Sequence, residues 1–112
     1  MEQIVRQTLL FDFYGDLLTE HQREVYEDVV CNDTSFSELA AREGVSRQSI
    51  HELVRKCDRL MEKYEQKLHM MEQFLWLKKM VQQIRDDAAP GNDPQEQMSR
   101  IRDLCDQILE DL

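Results

Sequence analysis

Glycine and proline are almost missing from this chain: three and two among 112 residues. Folding many short strands into a sandwich or barrel takes turns rich in those residues, so their scarcity argues against an all-β protein and for long helices. Cysteine is as sparse. Cys31, Cys57 and Cys105 lie far apart, odd in number, with no CxxC pair and no Cys/His spacing that makes a metal site, which leaves neither a disulfide framework nor a zinc signature. With no secretory leader, we expect reduced, buried thiols in a cytoplasmic protein. No apolar run approaches a membrane span. Missing too are a phosphate-cradling glycine loop, a nucleophile elbow and any sign of an enclosed pocket for two carboxylates, so we expect no enzyme, no cofactor and no metal. Positive charge is the last shortage: 14 Lys and Arg against 23 Asp and Glu, net −9, an awkward balance for a protein that would hold DNA by charge alone.

What is present is helical periodicity. A hydrophobic content of 41% excludes wholesale disorder, and the length suits one domain, or one with a helical extension. Ile4 to Leu18 carries a stripe of Val5, Leu9, Phe13 and Leu17, widened by Leu10, Phe11, Tyr14 and Leu18. Gly15 within it marks a close contact. Thr19 and Gln22 form a capping box for a second helix reaching Val30, and Ser35 with Glu38 forms another. From Arg47 to Asp87 there is neither Gly nor Pro. Apolar residues recur there at Ile50, Val54, Cys57, Met61, Tyr64, Leu68, Met71 and Leu75, a heptad-like seam that slips register to Leu77, Val81 and Ile84. One unbroken helix of that length would run about 60 Å and leave its seam bare. We therefore expect either a break near Leu68–Gln73 or a partner chain on the seam. AAPGNDP, 88–94, is a linker, and Asp93 with Pro94 opens a last helix striped by Ile101, Leu104, Cys105, Ile108 and Leu112.

Phe36 to Arg55, FSELAAREGVSRQSIHELVR, holds the richest pattern. Ala40 is small where two helices must approach. Gly44, four residues on, suits a left-handed turn. Ile50, six further, faces inward, and Leu39, Val45 and Leu53 fill the other inward places. Ser46 caps the next helix. This is the spacing of a helix-turn-helix and it points to nucleic acid. Charge is distributed in keeping with it. Residues 1–46 carry 3 basic and 10 acidic side chains, 47–60 carry 4 and 2, 61–87 carry 5 and 5, and 88–112 carry 2 and 6. The one net positive segment is the second helix of the motif. A patch of +2 on a chain of −9 implies weak, salt-sensitive non-specific affinity.

Other features read as structural. His21, His51 and His69 lack partners at ligand spacing and are expected on the surface or partly buried. Met61, Met70, Met71 and Met80 with Phe74, Leu75 and Trp76 form an adaptable apolar run, expected in core packing and a homodimer seam, with a groove for a partner helix as the other reading.

LLTEHQREV, then FSELAAREGVSRQSI and a helix rich in Arg and Lys, resembles region four of bacterial sigma factors. The opener LFDFYGDLLTEHQREVYEDVV, the GVSRQSIHE turn and the KYEQKLHM segment together look like the small YlxM-type family of bacterial helix-turn-helix proteins, over about residues 9–72. That resemblance implies an all-helical regulatory protein linked to the signal recognition particle by gene neighbourhood, with no catalytic activity. The sigma-like motif offers Arg47, Gln48, Ser49, His51, Arg55 and Lys56 as candidate nucleic-acid contacts. Glu52, exposed among them, departs from a strongly basic reading helix, since it can accept from cytosine but repels phosphate.

We therefore expect an all-α fold of five to six helices. A helix-turn-helix domain with a long helical extension would occupy 1–87, with the sigma-like region at 19–58 and the extension packing back on the opening helix, followed by a linker at 88–94 and a last helix at 95–112. The expected function is DNA-binding regulation associated with the signal recognition particle pathway. The alternatives are an adaptor that binds the particle's protein or RNA, and a helical dimerisation module.

Overall fold

A computed structural model describes residues 1–91 and 93–112. The described residues form helices joined by short turns, with no strand: α1 Gln3–Tyr14, a 3₁₀ turn Gly15–Leu17, α2 Glu20–Val30, α3 Phe36–Glu43, α4 Arg47–Leu68, α5 Met70–Asp87 and α6 Pro94–Asp111. They fall into two compact units, residues 1–71 and 72–112.

The starts of these helices follow from side-chain caps. The Thr19 hydroxyl accepts from the Gln22 amide while the Gln22 side chain accepts from the Thr19 amide, closing the capping box. Ser35 accepts from the Glu38 amide, 3.1 Å, so this arm of the second box forms. Ser46 accepts from the Ser49 amide, 3.1 Å, and Asp93 from that of Gln95, with Pro94 in the first turn. Gly44 ends α3 at φ +68, the conformation for which glycine was expected there.

The opening helix is shorter than its stripe suggested. α1 stops at Tyr14, where the chain enters the 3₁₀ turn, and Gly15 packs against the Phe11 ring, where a β-carbon would come within 2.9 Å of ring carbons. The buried line is Leu10, Tyr14 and Leu18, whereas Val5 and Leu17 are exposed at 46% and 55%. Two adjacent ridges of α1 are apolar, and α4 selects the one carrying Tyr14.

α4 runs through the middle of the first unit, packed by α1, α2 and α3. Its inner row is Ile50, Val54, Cys57, Met61 and Glu65, which departs from the expected seam at Tyr64 and Leu68. Leu68 is 51% exposed. The row keeps stepping by four to Glu65 because that carboxylate has partners waiting: Tyr14 donates its hydroxyl at 2.6 Å and the Met71 amide donates at 2.9 Å. The Tyr14 oxygen in turn accepts from the Met70 amide, 3.2 Å. α4 therefore ends at His69, a left-handed residue at φ +55, inside the interval where a break was expected. The first amides of α5 are satisfied by α1 and α4 side chains. The second half of α4 lies on α1, as foreseen for the start of the extension. Val25, Leu39, Ala40 and Ile50 form the core cluster beside it, with Val29, Phe36 and Leu53 packed against them.

The second unit is thinly packed. Among its described residues only Met80 is buried. Ile101, Leu104 and Ile108 are half-buried, and Cys105 and Leu112 are exposed. The thiols also differ from expectation: Cys57 is buried, but Cys31, which follows the last residue of α2, and Cys105 are exposed.

Candidate nucleic-acid interface

The motif's supports are mostly where the spacing put them. Ala40 and Ile50 are buried at 6% and 1% exposure, and Gly44 turns the chain between α3 and α4. Val45 is the correction: its side chain is 44% exposed. Its amide donates to the Ala40 carbonyl, 3.0 Å, and the residues that pack against the core cluster are Val29, Phe36 and Leu53.

The head of α4 is fixed from below by Ile50 and Val54 and from its start by Ser46. Arg47, Gln48, Ser49, Arg55 and Lys56 all lie exposed on it. They are not equivalent. Ser49 is committed to the cap, its hydroxyl 3.0 Å from that of Ser46. The Gln48 amide group donates to Glu52 at 3.4 Å, a long bond on an exposed face. His51 differs from the other candidates. It is half-buried, its ring stacked on Phe36 with centroids 3.9 Å apart, because α3 begins directly opposite it. Its ring lines an open groove with Ile4, Val29, Phe36, Val54 and Arg55.

Electrostatics sort the arginines of residues 1–71 into two groups. Arg6, Arg23 and Arg42 each meet a carboxylate: Glu62, Asp16 and Asp28. Among the described residues, Arg47, Arg55 and Arg59 meet none. The α1-facing side of α4 does the opposite with its carboxylates. Asp58 accepts from Tyr26 at 2.6 Å and from Gln7 at 3.1 Å, and burial, reinforced by that carboxylate, raises the Tyr26 hydroxyl pKa. The Arg6 hydrogen bond holds the Glu62 carboxyl below its ordinary range. Burial pushes the Cys57 thiol up to about 11, so it stays protonated and unreactive. Arg59 was missed as a candidate contact. Its signal was its place one turn beyond Arg55 on the same face.

A sequence family described as "Putative helix-turn-helix protein, YlxM / p13 like" matches residues 1–101. The chain belongs to this family. Its relatives include a UPF0122 protein of Symbiobacterium thermophilum, 47% identical over 68 residues, or 61% of this chain and 64% of that protein. Another is a UPF0122 protein of Clostridium kluyveri, 40% identical over 73 residues, 65% of this chain and 66% of that one. These first matches span slightly less than two thirds of each relative. A UPF0122 protein of Streptococcus pneumoniae is 34% identical over 104 residues, 93% of this chain and 94% of that protein. The match to the YlxM-like family covers the motif, all of α5 and part of α6. Among the described residues, no helix is long and apolar enough to cross a membrane.

Proposed function

We propose that this YlxM-like chain is a cytoplasmic DNA-binding regulatory protein that places the head of α4 in the major groove, and that it serves the signal recognition particle pathway. The observation that carries the reading is the set of uncommitted cations on α4. Arg47 and Arg55 project from a helix anchored by a full core, while the other arginines of the same unit, Arg59 apart, are spent on ion pairs. Arginine there can engage guanine bidentately, Gln48 can engage adenine, and Glu52 can accept from cytosine. Lys56 adds a phosphate contact. A net charge of −9 keeps affinity for arbitrary DNA weak and makes base contacts the source of binding. The likeness of the motif to sigma region four supports the same docking. Exposed Phe74 and Val81 on α5, 43% and 53%, support a homodimer.

The second reading is an adaptor that contacts the particle's protein or RNA without DNA. Glu52, exposed in the middle of the reading face, favours it. Fluorescence anisotropy with labelled random duplex, across a salt series and beside the R47A/R55A variant, separates the two. Binding that weakens steeply with salt and is lost in the variant supports the regulator. No binding near 50 mM salt, where phosphate contacts are strongest, turns the weight to the adaptor.

A further inference from the structure

Past the motif, α4 separates its charges by side. Its carboxylates beyond residue 55 are Asp58, Glu62 and Glu65, and each is engaged within the fold: Asp58 by Tyr26 of α2 and Gln7 of α1, Glu62 by Arg6, Glu65 by Tyr14 and the Met71 amide. Its cations beyond that point are Lys56, Arg59, Lys63 and Lys67, and all are exposed. With Arg55, the last three make a row at steps of four: Arg55, Arg59, Lys63, Lys67. Among the described residues none of the four has a carboxylate within ion-pair distance. Residues four apart form one ridge along a helix, so the row runs about 18 Å at 1.5 Å per residue. Like charges one turn apart work against the helix that carries them. Lys67 alone gains from its place in the last turn, where positive charge suits the helix end. On a chain of −9, four cations in a line with no intramolecular partner are matched to an external line of negative charge.

We infer that the ridge Arg55–Arg59–Lys63–Lys67 is a phosphate-contacting surface for a nucleic-acid backbone lying along α4, extending the contact made by the head of the helix. One strand of a duplex carries a charge every 3.4 Å of axis, so 18 Å faces about five phosphates. Past Arg55, which the head of the helix shares, the contacts are with phosphates only, so Arg59, Lys63 and Lys67 add affinity and salt dependence without sequence preference. This rests on the DNA-binding reading above, but three of its four residues, Arg59, Lys63 and Lys67, lie outside the motif.

The test is a salt titration of a fluorescein-labelled 30-base-pair random duplex with the full chain, its R59A/K63A/K67A variant, and a K78A/K79A/R102A variant that loses the same three charges elsewhere. Each phosphate contact contributes about 0.9 to the slope of log K against log salt. The ridge variant is expected to have a slope shallower by about 2 to 3 and at least tenfold weaker binding at 50 mM salt, with the control near wild type. A ridge variant with the wild-type slope overturns the inference while leaving the reading of the α4 head intact. Equal losses in ridge variant and control also overturn it, since net charge alone then explains the effect. A wild type that binds no duplex at 50 mM salt removes the DNA-binding reading and the ridge with it. Circular dichroism of each variant checks that the helices remain. The substitutions are exposed and relieve like-charge repulsion, so an unfolded ridge variant would itself contradict the placement of these side chains.

Discussion

Residues 1–71 and 72–112 are both built from helices with apolar stripes and reach different ends. In the first unit, α4 is surrounded by three helices, and its inner row is buried down to Cys57 and Met61 at 0% exposure. In the second, α5 and α6 carry clear apolar stripes, yet only Met80 is buried among the described residues. A stripe gives a helix a preferred side, whereas burial needs neighbours on more than one flank. The first unit has those neighbours and adds polar clasps across α1 and α4, at Arg6–Glu62, Gln7–Asp58 and Tyr14–Glu65.

The largest effect that would break this contrast is in thiol chemistry. Cys57 is buried with its pKa raised to about 11, whereas Cys105 is exposed on α6. Labelling by a thiol reagent at neutral pH should be at least a hundredfold slower at Cys57 than at Cys105, the factor that about 2.8 kcal/mol of opening free energy produces. Mass spectrometry of the labelled peptides reads it, and similar rates would mean that the first unit is as loose as the second. Next is truncation of methionine. Met61→Ala should cost about 2–5 kcal/mol in urea unfolding, and Met98→Ala, at a site 67% exposed, less than about 0.5 kcal/mol. Equal costs would place α4 outside the core. Gly44→Ala should then cost about 1–2 kcal/mol. No atom lies within 4 Å of the added β-carbon, so the loss reports the left-handed turn alone, and a neutral outcome would show that the turn relaxes.

The smallest effect is in pH. Arg6 lowers the Glu62 pKa in the fold, so the pair's contribution is present above the ordinary carboxylate pKa and is lost as pH falls through the lower folded value. Both partners are over a third exposed, 40% and 37%, and solvent screening holds the contribution to about 0.5 kcal/mol. Glu62→Gln should therefore reduce stability slightly at pH 7 and not at about pH 3. A cost that persists in acid would assign the effect to packing.

Much of the architecture was legible in the residues themselves. The hydroxyls of Thr19, Ser35 and Ser46, the glycine at 44 and the Asp93–Pro94 pair act within four residues, so their signals need no tertiary context. The candidate interface was less legible. Arg47, Gln48, Arg55 and Lys56 could be placed on an exposed face by counting from Ile50. His51 could not, because its stacking partner Phe36 belongs to the preceding helix. Val45 reads as inward from the spacing of the helix-turn-helix, yet an apolar residue in a three-residue turn has no period to assign its side. Arg59 was countable but lay beyond the motif's boundary.

By itself, then, the sequence determined that this protein is helical, where most helices start, that α3 ends at Gly44, and that the long Gly- and Pro-free stretch must break or be covered, because each of these depends on contacts local to the chain. The tertiary structure decided that the break falls at His69, that Glu65 is inside and Leu68 outside, and that the cations of α4 stand clear of its carboxylates. Those outcomes depend on Tyr14, Gln7 and Arg6, which reach α4 across 51 to 56 residues of chain. No local pattern records which of two apolar ridges such distant partners will choose.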